Sequence, residues 1–250
     1  MRFEEKIKAK YLYTNKKNLI KIIYFFLQKL KSYKFIKKSY SGSAQDIIID
    51  HFFRNKKKGF YIDVGCYHPY QNNNTRLFYE KGWSGINIDL DYHSIDFFNF
   101  VRTRDENINV AVSDSETEKN LYFFHNRSTI NSLDSRRKNE AKEIKKVQTQ
   151  TLDSIIESSK FKNQKINFLS IDVEGHEYEV IKSINLKKYN PEIILIEHID
   201  KKMKNIEFFN QNINDIINSN VFKHMIENNY HFVNWLHQDL IFAHNSIRKK

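Results

Sequence analysis

The chain has 250 residues, 40% of them hydrophobic, with 20 Phe but only 6 Gly and 2 Pro; such a composition fills one sizeable core and leaves little for long flexible linkers. Its single cysteine, Cys66, excludes an internal disulfide and a multi-cysteine zinc site and fits a reducing compartment. The net charge of +11 is lopsided, because residues 1–40 hold 12 Lys or Arg against Glu4 and Glu5, while the other 29 basic and 28 acidic residues nearly cancel. A nucleic-acid-binding main body, which needs a basic face, is therefore not expected.

Taken in chain order, residues 18–36 place Leu19, Ile22, Ile23, Phe26, Leu30 and Tyr33 at helical spacing, with Lys17, Lys21, Gln28 and Ser32 gathered opposite. This predicts a basic amphipathic helix within an extension over residues 1–40. Such a helix can pack on its own domain, lie on a membrane surface or make a dimer contact. No run reaches the roughly 20 apolar residues that span a bilayer, and the start carries no secretory pattern. A cytoplasmic protein is expected, with room for peripheral membrane contact through residues 1–40.

Residues 41–250 read as one domain. Ser41-Gly42-Ser43-Ala44 breaks the chain before a helix over 45–53. There follow a strand over 59–64, a helix over 74–82, a strand over 85–89, a helix over 94–102 and a strand over 108–113. A short strand over 121–124 leads into a polar loop or lid with helical content over 125–146. Next come a short helix over 153–158, a strand over 166–172, a helix near 177–184 and a strand over 192–197. A long helix over 213–227 and a hairpin of 230–235 with 240–243 close the chain. Strands joined by helical crossovers predict an α/β fold, a mostly parallel sheet covered on both faces, with the hairpin as an antiparallel edge. Ligands in such sheets sit at the carboxyl ends of the strands. That rule gathers Asp63, Gly65, Asp89, Ser113, Asp172 and Glu197 at one rim.

The first strand ends in Asp63-Val64-Gly65-Cys66-Tyr67-His68-Pro69, and Asp89 ends the second strand 24 residues after Gly65. Glycine at a strand end lets the backbone approach a ligand, and a carboxylate ending the next strand suits two ribose hydroxyls. The turn lacks the further glycines of a dinucleotide fingerprint, and Pro69 removes an amide donor, so NAD is disfavoured. A nucleoside without phosphates, such as S-adenosylmethionine, needs neither; Asp63 would take its ammonium group and Asp89 its ribose.

A second cluster is Asp172-Val173-Glu174-Gly175-His176-Glu177. In an extended segment Asp172, Glu174 and His176 share one side, and so many ionisable groups are costly to bury unless they serve a ligand, a proton transfer or a metal. His176 is the natural general base, able to take a hydroxyl proton near neutrality. The spacing is diagnostic of no metal, so none is expected, although the donor set admits a divalent ion. Glu177 reads as a solvated carboxylate at a helix start. His68 is a candidate ligand contact, Cys66 a packing residue, Asn74-Thr75 a helix cap, and Glu197-His198 a candidate cleft edge.

Several segments together resemble the FkbM family of S-adenosylmethionine-dependent methyltransferases. They are Ser41-Gly42-Ser43-Ala44-Gln45-Asp46, residues 61–69, Asn74-Thr75 with Phe78-Tyr79 and Gly82-Trp83, residues 85–89, Ala111-Val112-Ser113, Thr151-Leu152-Asp153, residues 171–177 and the strand at 193–197. They occur in order over residues 41–197, leaving the N-terminal arm uncovered, and Gly42 and Gln45 depart from the family's opening motif. The resemblance implies a Rossmann-like class I methyltransferase fold with a seven-stranded sheet, and O-methylation of a hydroxyl on a sugar, glycan or related natural product. It implies that Asp63, Gly65 and Asp89 hold the cofactor, that Ser113 lies near the adenine, and that Asp172, Glu174 and His176 face the acceptor. Rival readings are a non-catalytic cofactor-binding scaffold of the same fold and a nucleotide-sugar-modifying enzyme. The joint presence of Asp172, Glu174 and His176 speaks against the scaffold, and the absent phosphate loop against the nucleotide-sugar enzyme.

Overall fold

The computed structural model describes residues 3–13, 17–33, 37–125, 128–198 and 212–249. Two units are compact in themselves, Met1–Ser39 and Tyr40–Lys250. In the first, helix α1 (Phe3–Tyr13) packs against α2 (Lys17–Ser32). Helix α2 carries Leu19, Ile22, Phe25, Phe26 and Leu30 exposed, Leu19 to 70%. The end of the predicted helix, residues 34–36, lies outside the described residues. No described helix is long and apolar enough to cross a membrane.

In the second unit, short apolar runs become strands buried on both faces, as parallel sheets require. Strand β1 (Phe60–Val64) sends Phe60, Ile62 and Val64 into one apolar cluster and Tyr61 into another. It pairs in parallel with β2 (Ser84–Asp89), and β2 with β3 (Glu106–Asn109). Skipping β4 (Ala111–Val112), β5 (Glu118–Phe123) and β6 (Glu143–Gln150), β1 pairs on its other side with β7 (Phe168–Ile171), which pairs with β8 (Ile193–Glu197). The hairpin β9 (Tyr230–Leu236) and β10 (Asp239–His244) joins antiparallel through β10. The seven-stranded order is β3-β2-β1-β7-β8-β10-β9.

One face is covered by α6 (Leu152–Ser158), α7 (Glu177–Lys182) and α10 (Asn220–Glu227), through Leu152, Ile155, Val180, Ile181, Val221 and Met225. The other face carries α3 (Gln45–Phe53) and α4 (Arg76–Glu80), through Ile49, Phe53, Phe78 and Tyr79, with Trp83 alongside. Helix α5 (Tyr92–Val101) begins at Asp91, whose carboxylate accepts from the Ser94 amide, and packs beside β2 and β3. Each fully buried Ile of this core contributes about 1.5–3 kcal/mol.

The structure corrects four element boundaries. The strand expected over 108–113 divides: β3 stays on the large sheet, while β4 joins β6 and β5 in a separate three-stranded sheet. The last four residues of the expected lid over 125–146, together with the residues just beyond it, form β6, a strand held mainly by backbone pairing to β5, since Thr149 is its one buried side chain. Its apolar residues follow no period that sequence reading could detect. The helix expected over 213–227 breaks into α9 (Ile213–Ile217) and α10, because Ser219 accepts from the Phe222 amide at 3.1 Å and starts a new helix there. A separate short helix, α8 (Leu186–Tyr189), follows α7.

Gly65 fixes how β1 meets β7. Its φ is +80°, and a Cβ there would lie 1.7 Å from the Asp172 carbonyl oxygen. The missing side chain makes room for the neighbouring strand end, and Gly65 also lines the cleft described below. Gly65→Ala combines a left-handed backbone cost of about 1–2 kcal/mol with overpacking of about 1–3 kcal/mol. The expected loss of about 3 kcal/mol lowers the melting temperature by about 6–12 °C, measured by calorimetry; an unchanged melting temperature would contradict the close approach.

Candidate active site

The loop from β1 to α4 is built on buried polar groups. Arg102, 0% exposed at the end of α5, donates to Thr75 Oγ1 (2.8 Å), Asn73 Oδ1 (2.6 Å), the Pro69 carbonyl (3.1 Å) and Tyr61 Oη (3.2 Å). Thr75 Oγ1 and Asn73 Nδ2 in turn donate to the Asp63 carboxylate at 2.7 and 3.1 Å. Burial pushes the Asp63 pKa up, and the Thr75 hydrogen bond and the Arg102 charge pull against it. Asp63 is thus engaged beneath the loop and is not among the cleft-lining residues. Thr75 stands just before α4, at the capping position, but its side chain makes no cap bond, its hydroxyl being committed to Asp63.

Above this loop lies a cleft of about 300 Å³, lined by Gly65, Tyr67, Asp89, Val112, Leu133 and Asp172 among others. That volume is at the small end for ligand pockets. Asp89, as expected, stands in it: one carboxylate oxygen accepts from the Tyr67 amide and the other from the Asp91 amide, both at 2.8 Å. Each oxygen keeps lone-pair capacity for a further donor. Burial raises its pKa to about 6, and the two amides oppose the rise. Ile88, Leu90, Val110, Ala111 and Val112 supply an apolar wall beside it. These residues suit a vicinal diol on Asp89 with a planar ring against that wall, the groups that an adenosine moiety presents. Ser113 is fully buried behind the wall and does not line it.

The second cluster is also rearranged. β7 ends at Ile171, and Glu174 (φ +58°) and Gly175 (φ +102°) turn the chain sharply, so the expected extended alternation of Asp172, Glu174 and His176 does not form. His176 swings to Ser113, with Nε2 2.8 Å from Ser113 Oγ and Nδ1 3.5 Å from Glu179 Oε2. Burial lowers its pKa, which keeps the ring neutral, and it still borders the cleft. Asp172 and Glu174 are joined by Glu197 from the end of β8 instead: carboxylate oxygens of the three lie within 4.8 Å of one another. Burial, then mutual repulsion, pushes Asp172 and Glu197 well above the usual carboxylate range. Burial also raises Glu174, against the pull of Arg137.

Glu177 stands at the start of α7 as expected, but it is buried and not solvated. Its carboxylate accepts from the Gly175 amide at 2.8 Å and the Val173 amide at 3.2 Å, and burial holds its pKa at about 7. His68 accepts from the Tyr70 and Gln71 amides through Nδ1, both at 3.1 Å, so it shapes the first loop. Cys66 is buried beside Ile95 and Phe98, and burial pushes its thiol pKa up. His198 borders a second hollow of about 580 Å³, shared with His176, Gly175, Glu197 and Leu133.

Three contributions escaped sequence reading. Asp239 lies opposite Glu197 in the β10–β8 register and accepts from Gln45, the residue whose departure from the family motif left its role open. Arg137 reaches Glu174 Oε2 at 2.9 Å. Ser132 Oγ donates to the Glu174 carbonyl at 2.9 Å, and a Cβ on Gly175 would lie 2.6 Å from Asp134 Oδ2, so the segment after β5 closes onto the turn after β7. A polar segment without periodicity carries no signal for such docking.

A methyltransferase FkbM domain model matches residues 63–225. Among solved structures, a methyltransferase FkbM from Methylobacillus flagellatus KT is 10% identical with a TM-score of 0.46, over 75% of this chain and 44% of that one. Monomeric WbdD is 10% identical with a TM-score of 0.44, over 80% of this chain and 40% of that one. The chain therefore spans less than half the length of either. No curated protein matches it in sequence. The family model runs from within β1 to within α10, about two thirds of the chain, and the chain belongs to the FkbM methyltransferase domain family.

Proposed function

We propose that the chain is an S-adenosylmethionine-dependent O-methyltransferase for a hydroxyl on a sugar, glycan or related natural product. The observation that carries this reading is one cleft lined by Asp89 at one side and by Asp172 and Glu174 at the other. The cofactor, when bound, supplies an electrophilic methyl group. Asp89 would hold the ribose hydroxyls, the wall of Val110 to Val112 would bear the adenine, and Gly65 and Tyr67 would border the amino-acid end. The second hollow, which borders the same His176 and Leu133, is the candidate acceptor site.

In methyl transfer the residues' tasks are to place the acceptor oxygen in line with the methyl group and to take its proton. Asp172 lines the cleft and belongs to the carboxylate cluster, which suits it to accept a hydrogen bond from the acceptor hydroxyl. His176, committed to Ser113 and Glu179, would set the position of the turn between the two hollows. Incubation with methyl-labelled cofactor and a panel of cell-surface saccharides is expected to label at least one. Asp172→Asn is expected to lower that turnover by about 100-fold or more, the usual worth of proton transfer, while affinity for S-adenosylhomocysteine stays within a few fold. Full turnover in the variant would remove Asp172 from the chemistry, and no labelled saccharide would remove the substrate class.

The N-terminal unit suggests where such an acceptor is met. Exposed Leu19, Ile22, Phe25, Phe26 and Leu30 on one helix, in an arm rich in Lys, suit the interface of an anionic membrane. The full chain is expected to float with vesicles containing anionic lipid, less so at high salt, and a chain lacking residues 1–39 is expected to stay behind. Equal flotation of both would overturn membrane contact through the arm.

A further inference from the structure

Where this fold buries a carboxylate for structural reasons, it provides donors. Glu192 has Lys165 at 2.6 Å, Lys56 at 2.8 Å and Asn167 at 2.9 Å. Asp105 accepts from the Gly85 amide and Asn87 Nδ2, both at 2.9 Å, and from Tyr61 Oη. Asp63 has Thr75 and Asn73. These acids follow the rule that buried polar atoms find partners.

Glu197 breaks that rule. It is only 8% exposed, yet its Oε2 has no hydrogen-bond partner among the described residues, and the side chain that its carboxyl group does meet is Asp172, another acid. Its neighbours are further acids, with Asp172 and Glu174 near enough for one oxygen of each to lie within 4.8 Å of the others. Among the described residues the ion pair made by these three is Arg137 on Glu174. The amides of Val173 and Gly175, the nearest backbone donors on the turn, go to Glu177.

From this geometry we infer that Asp172, Glu174 and Glu197 form a binding site for one divalent cation of the hard, oxygen-seeking class, such as magnesium or manganese. Three carboxylates and no nitrogen or sulfur donor select that class. The spacing agrees: ligands on opposite sides of a magnesium ion lie about 4.2 Å apart, and of a calcium ion about 4.8 Å. Only one pair of ligands can stand opposite each other, so side-chain shifts of up to roughly 0.7 Å bring all three oxygens onto one ion. The donors come from the ends of two neighbouring parallel strands, β7 and β8, whose positions the sheet fixes. Asp172 is common to this cluster and to the cleft wall, so the ion would stand where the acceptor hydroxyl is expected. That role, though not the site itself, rests on the methyl-transfer reading; with the ion present, Asp172 acts through it and not as a free base.

Titration of manganese alone, followed by electron paramagnetic resonance and calorimetry on the full chain, tests the site. One ion per chain is expected at submillimolar concentration, with binding weakened at least tenfold in Glu197→Gln. That variant removes a charge from a crowded cluster and keeps the side-chain shape, so it is expected to fold; Asp172→Asn, expected to weaken binding equally, serves if it does not. No manganese binding by the wild-type chain, or binding unchanged in the variants, would overturn the site. S-adenosylhomocysteine titrated in the presence of EDTA reports separately on the cofactor cleft, so failure of the metal site and failure of the methyl-transfer reading are distinguishable.

Discussion

A fully buried arginine organises the ligand-facing end of this sheet. Placing a guanidinium out of water costs several kcal/mol unless it is well bonded, and each hydrogen bond to a charged group returns about 1.5–3 kcal/mol. Arg102 meets most of that demand with Thr75, Asn73, the Pro69 carbonyl and Tyr61, its Nε alone of the three nitrogens having no partner among the described residues. Through Thr75 and Asn73 it also makes Asp63 tolerable under the loop. The loop so fixed delivers the Tyr67 amide to Asp89, which orients the carboxylate at the mouth of the cleft. This buried network of Arg102, Thr75, Asn73 and Asp63 thus shapes the site from below without lining it.

The second constraint is the contact of β1 with β7. The Asp172 amide donates to the Val64 carbonyl at 3.0 Å, and the Asp172 carbonyl occupies the space where a side chain on residue 65 would stand. Gly65 is therefore locked to the residue that begins the acid cluster. From Asp172 the chain turns through Glu174 and Gly175, and the segment after β5 lies over that turn through Ser132, Asp134 and Arg137. Cleft, cluster and covering segment form one connected structure, so a shift in any of them is felt by the others.

Much of this was legible in the sequence because strand ends in a parallel sheet gather on one rim. Asp89, Asp172 and Glu197 stand there, as period and order predicted. What misled was local reading of side chains whose partners are distant in sequence. Asp63 and Ser113 read as rim residues, and the bonds they make, Asp63 with Asn73 and Thr75 and Ser113 with His176, come from residues that no local pattern links to them. The alternation of Asp172, Glu174 and His176 assumed an extended chain, which the left-handed backbone at Glu174 and Gly175 ends. Strand β6 was invisible because backbone pairing with β5, not an apolar period, holds it. Asp239 became meaningful only through the hairpin register that sets it opposite Glu197.

Calorimetric titration of S-adenosylhomocysteine tests this arrangement most directly, because it addresses the cleft without requiring the acceptor. The wild-type chain is expected to bind one molecule near neutral pH, with affinity falling as the pH drops through about 6, where Asp89 gains its proton and loses acceptor capacity. Asp89→Ala, deprived of hydrogen bonds to a charged group worth about 1.5–3 kcal/mol, is expected to bind about 10- to 100-fold more weakly. No binding by the wild-type chain, or equal binding by the variant, would contradict the assignment of the cleft.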